Sequence, residues 1–180
     1  MLIRNEDVIQ YLLKAEGKLV HLYGDPDAGR TQTVFSVLDE ATDQDKLCCY
    51  WIPREKDYRY NVFVKTVHNR DHCIVGFPEN ATQLPVFLTL AAGVDLVCID
   101  NFLEYICHKK NAEIRNVFAS ISAAAYKYKT NFVLVNDLRY LEAKGGLHPA
   151  YQEYFRRFCA KHIKVEKDSD FHISYDFCEA

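Results

Sequence analysis

The chain has 180 residues, 49% hydrophobic and 26% charged, with a formal net charge of −3. This length and mix point to one self-sufficient domain and exclude a disordered chain, a collagen-like repeat or a mucin-like stalk. The acidic balance disfavours coating nucleic acid through bulk charge, although a local basic patch stays compatible with it.

In chain order, Asn5-Glu-Asp before Val8, Ile9, Tyr11, Leu12 and Leu13 predicts a short amphipathic helix with an acidic first turn, ended by Gly17. Lys18–Tyr23 reads as a strand, and residues 24–29 as a tight turn. Val34, Phe35, Val37 and Leu38 give the buried stripe of a second helix. Leu47–Ile52 is a continuous apolar run, as in a strand covered on both faces. Tyr60–His68 is a predicted helix, His72–Gly76 a strand, Leu84–Ala92 a helix with Pro85 in its first turn, and Asp95–Asp100 another buried strand. Glu113–Tyr128 is a long helix with Ile114, Val117, Phe118, Ile121 and Ala125 on one face, followed by the strand Asn131–Val135. Cys159–Glu166 and Phe171–Asp176 alternate around Lys167–Asp170 and read as a hairpin. Strands alternating with helices predict a mostly parallel, doubly wound α/β sheet, and the hairpin predicts an antiparallel extension at one edge.

The opening Met1–Asp7 turns acidic too soon for a signal peptide, and the apolar runs are too short to span a membrane. Seven cysteines, an odd number without such a signal, read as reduced and mostly buried thiols, which predicts a nuclear or cytosolic location.

The densest chemistry lies at Gly24-Asp25-Pro26-Asp27-Ala28-Gly29-Arg30-Thr31, which has the spacing G-x-x-x-x-G-K-[ST] with Arg for Lys. Such a loop wraps phosphate with backbone N–H groups, meets it with a cation, and offers a hydroxyl to Mg²⁺. A helix N-terminus behind it adds a positive end. The bulk and planarity of Arg30, and the charges of Asp25 and Asp27 where a triphosphate would lie, predict weakened or lost ATP binding. Asp100, at the end of a buried strand, is the candidate second ligand for Mg²⁺ beside Thr31. Glu55 is a candidate to activate water. Asn136 and Asp137 are candidate γ-phosphate sensors, or plain turn residues.

Other constellations weigh less. His68 and His72 fall on different elements, Cys48 and Cys49 point to opposite strand faces, and no CxxC occurs, so no zinc is expected. Arg139 and Lys144 are candidate contacts to single-stranded DNA. With Arg156, Arg157, Lys161 and Lys164 they interleave with Tyr140, Tyr151, Tyr154 and Phe155, which otherwise read as the core face of a helix.

Taken in order, these parts resemble the RecA-type recombinase core, most of all the eukaryotic strand-exchange recombinases and their paralogues. The resemblance rests on the loop at 24–31, Tyr50-Trp-Ile-Pro-Arg-Glu55, Asp95–Asp100 with Asn101-Phe-Leu, Arg115 and its helix, Val133–Asn136, Gly145–Arg157 and the closing hairpin. It implies a single RecA-like P-loop domain over 1–180, with an N-terminal helix in 1–17, a core over 18–150 and a closing helix and hairpin over 151–180. Arg30 replaces the family's loop Lys. Asp137 stands where the family has Gln, and the DNA loop between Leu138 and His148 is short. No separate N-terminal domain is expected before the core.

The function this implies is a recombinase-paralogue accessory protein in homologous-recombination DNA repair, working in a hetero-oligomer with a recombinase-fold partner, with absent or very slow hydrolysis. Two alternatives stand beside it. One is an active DNA-dependent ATPase with ATP and Mg²⁺ at the loop. The other is a RecA-like scaffold outside DNA repair, resembling the accessory ring of Elongator.

Overall fold

A computed structural model describes residues 5–14, 16–54, 58–141, 146–168 and 173–178. Its elements are α1 (Asn5–Leu13), β1 (Leu19–Gly24), α2 (Arg30–Asp43), β2 (Cys48–Trp51), α3 (Tyr58–Thr66), β3 (Cys73–Gly76), α4 (Leu84–Leu90), β4 (Leu96–Ile99), α5 (Leu103–Ile106), α6 (Asn111–Tyr128), β5 (Asn131–Leu141), β6 (Gly146–Pro149), α7 (Gln152–Phe158), β7 (Lys161–Lys167) and β8 (Ile173–Cys178). The sheet runs in the order β3-β2-β4-β5-β1-β7-β8, with β6 paired to β5. The strands from β3 to β7 in that order are parallel to their neighbours. The β7–β8 and β5–β6 pairs are antiparallel.

Alternation along the strands divides the core between two faces, as a doubly wound sheet requires. Val20, Leu22, Cys48, Tyr50, Cys98, Val133 and Ile163 pack against α1, α2 and α3. Leu19, Cys49, Trp51, Val97, Ile99, Phe132 and Leu134 pack against α4, α5, α6 and α7. Burying a side chain of this size contributes about 1.5–3 kcal/mol. The stripe Ile114, Phe118, Ile121 and Ala125 is buried along α6, as its spacing requires. Tyr154 and Phe155 of α7 close on Phe118, which makes them core and not a DNA surface.

Three local expectations need correction. The strand predicted to stop at Val135 continues to Leu141, because Asn136 and Asp137 stay in register with Tyr23 and Gly24 of β1 and the residues beyond pair with β6. Leu138–Leu141 and Gly146–Pro149 therefore form antiparallel strands where a short loop was expected. The four-residue helix α5 was not foreseen, its run being too short to show a period. His72 closes a single 3-10 turn instead of opening β3. Among the described residues, no helix is long and apolar enough to cross a membrane.

Candidate functional site at the β1–α2 loop

β1 lies between β5 and β7, so the loop that follows it is walled by the ends of both neighbours. The wall on the β7 side is tight. A Cβ on Gly24 would lie 2.3 Å from the Val165 carbonyl oxygen. Gly29 has φ +93, the left-handed region that favours glycine, and a Cβ there would meet Ile173 Cδ1 at 2.5 Å. Asp27 is also left-handed, with φ 65, and Ala28 N–H donates to the Asp25 carbonyl at 3.1 Å, folding the loop back on itself. From Gly29 the chain enters α2 directly, so the first helical N–H groups of Arg30 and Thr31 face the loop.

Arg30 does not project into that space. Its Nη1 donates to the Asn136 carbonyl at 2.6 Å and forms an ion pair with Asp137. The β1–β5 register explains the pairing, because Asp137 stands level with Gly24, the first residue of the loop. Arg30 is 12% exposed and Asp137 39%. The Asn136 side chain lies on the opposite face, where its amide donates to the Ala150 carbonyl at 3.3 Å. Only its backbone oxygen reaches Arg30, whereas Asp137 reaches it with its carboxylate.

Thr31 and Asp100 do meet. The Thr31 hydroxyl donates to Asp100 Oδ2 at 3.1 Å. Asp100 follows β4 and faces α2 and α3, the side on which Cys98 is buried two residues earlier. The same oxygen accepts the Tyr50 hydroxyl at 3.0 Å and lies 3.6 Å from Arg59 Nε, while Oδ1 accepts the Asn101 N–H at 2.8 Å. Burial pushes the Asp100 carboxyl above its ordinary range, against the pull of Arg59 and these hydrogen bonds. The sequence gives Arg59 no role, and it shows Tyr50 only as part of the buried run Leu47–Ile52 and of the resemblance. Tyr50 was findable, since it alternates with Cys48 on a buried strand, but nothing in the residues around Arg59 singles it out.

Beside the loop is a concavity of about 480 Å³ whose charged lining is Asp25, Asp27, Glu166, Lys167 and Asp168. Four carboxylates against one ammonium make it a poor setting for phosphate. Glu55 and Lys144 lie outside the described residues. Arg139 lies in β5, where it pairs with His148, but its side chain is outside the description. Among the described residues no group of three or more His, Cys, Asp or Glu could hold a metal ion. The donor set at Thr31 and Asp100 also does not fit Mg²⁺ as it stands, because the carboxylate already faces a guanidinium and three hydrogen-bond donors.

Compared with known proteins, the chain matches no family model and no curated protein.

Proposed function

We propose that the chain is a degenerate RecA-like P-loop domain that acts as an accessory subunit in homologous-recombination DNA repair, by binding a recombinase-fold partner. The observation that carries this reading is the engagement of Arg30. The one cation of the loop is paired with Asp137 and the Asn136 carbonyl, so the group that would meet phosphate is neutralised inside the domain. The acidic concavity beside the loop supports the same reading. A loop with this spacing and without a free cation keeps the shape of a nucleotide site and lacks its working charge. That favours binding to a partner over hydrolysis.

The test is affinity purification of the tagged chain from native extract. The reading expects a recombinase-fold protein to co-purify in stoichiometric amount and to stay bound in the presence of nuclease. Recovery of the chain without such a partner contradicts it.

A further inference from the structure

Asp100 is 2% exposed, and its carboxylate accepts the Thr31 hydroxyl at 3.1 Å. A buried carboxylate needs an opposite charge. Here that charge comes from α3, whose Phe63 and Arg59 are four residues apart and therefore share a face. Phe63 is buried and stacks on Tyr50, with ring centroids 5.4 Å apart. That stack fixes α3 against β2 and brings Arg59 Nε to 3.6 Å from Asp100 Oδ2. The Arg59 guanidinium carbon also lies 5.2 Å from the centre of the Tyr58 ring.

We infer that Arg59 is a built-in counter-ion of Asp100 that supplies the positive charge a divalent cation would bring, so that the domain closes this site without a divalent metal. The inference rests on reading the loop as a former phosphate loop. Chemistry favours a guanidinium in this place. It is charged at every accessible pH and is weakly hydrated, so it can stay in a nearly dry site. Mg²⁺ needs near-octahedral geometry and gives up its waters reluctantly. To reach Asp100 it would have to displace Arg59 together with a share of the Thr31 and Tyr50 hydrogen bonds. Arg59 is thus a positioning residue: it holds Asp100, and through Asp100 it holds the first turn of α2.

The test is thermal melting of the purified full chain with Mn²⁺, with Mg²⁺ and with chelator. The native protein and Arg59→Lys should melt alike in all three. Arg59→Gln leaves Asp100 without its counter-ion, so it should melt lower in chelator and be rescued by Mn²⁺. A rise of about 3–6 °C is expected at a tenfold excess of cation over Kd. Adding Asp100→Asn to Arg59→Gln should remove the rescue. Electron paramagnetic resonance of Mn²⁺ gives a second reading, since only Arg59→Gln should show a saturable site. Rescue of the native protein by Mn²⁺ that is lost in Asp100→Asn would overturn the inference, as would an Arg59→Gln variant indifferent to Mn²⁺ by both methods. These measurements use the chain alone, so they fail or succeed independently of the partner purification.

Discussion

Asp137 stands level with Gly24 across the β1–β5 pairing and takes the guanidinium of Arg30, so the loop's only cation is held by the neighbouring strand. On the proposed reading, releasing it should give the loop affinity for phosphate. Asp137→Asn combined with Asp25→Asn and Asp27→Asn removes three negative charges around the loop. We expect the native chain to show no ATP-dependent rise in melting temperature and the triple variant to show one. The triple variant should bind at least about tenfold more tightly, equivalent to about 1.4 kcal/mol. Equal nucleotide affinity in the two proteins would show that these charges do not govern the loop.

The two loop glycines should differ from ordinary loop positions in their sensitivity. Gly24→Ala places a methyl against the Val165 backbone oxygen, which no rotamer change can relieve. Gly29→Ala meets the Ile173 side chain and also occupies φ +93. Each should lower stability by about 1–3 kcal/mol, read as a shift in denaturation midpoint. An unaffected Gly24→Ala would mean that β7 is not seated against the loop as described.

The seam between β1 and β7 also makes stability depend on pH. His21 and His162 lie side by side in the register with Nδ1 atoms 3.1 Å apart, and neither Nε2 has a hydrogen-bond partner among the described residues. Burial holds the His21 imidazole well below its ordinary range, and the neighbouring His162 adds to that. His162 is lowered by burial and then by Arg156. Both therefore take up protons at lower pH in the folded chain than in the unfolded one, which does so below about pH 6.5. Stability should be flat above that pH and fall below it, by up to about 1.4 kcal/mol per pH unit for each imidazole. The loss should continue until the lower folded-state values are reached. His21→Phe, which can keep the stacking on Tyr23 and Phe155, should shallow this slope. Unfolding curves between about pH 7 and pH 5 decide, and equal slopes in the two proteins would contradict the assignment.

Thiol reactivity should follow burial. Cys48 and Cys49 are buried and their thiols are pushed up to about 12, mainly by burial; Cys73, Cys98 and Cys159 are buried and raised for the same reason. Cys107 is half-buried. Brief alkylation of the native protein, mapped by peptide mass, should label Cys107 ahead of these five, since the thiolate is the reacting species. Early labelling of Cys48 or Cys98 would contradict the packing of β2 and β4.

The fold was legible where the burial pattern along an element is strong and unbroken. The stripe of α6, the continuous runs of β2 and β4 and the glycine spacing of the loop each carry one dominant signal. β5 was cut short because Asn136-Asp137 looks like turn chemistry, and only pairing with β1 and β6 keeps those residues extended. At the site, Arg30, Thr31 and Asp100 could be named from spacing and strand position. Their partners could not, because Arg59 and Asp137 reach them through contacts between elements far apart in sequence. Tertiary charge pairing of this kind leaves no local pattern.

Whether this loop works as a nucleotide site is decided by phosphate release from ATP and Mg²⁺ by the purified chain, with and without single-stranded DNA. With Arg30 held by Asp137 and Asp100 held by Arg59, release should stay at the uncatalysed background in both conditions. A turnover near about one per second, raised by DNA and lost in Asp100→Asn, would contradict the account.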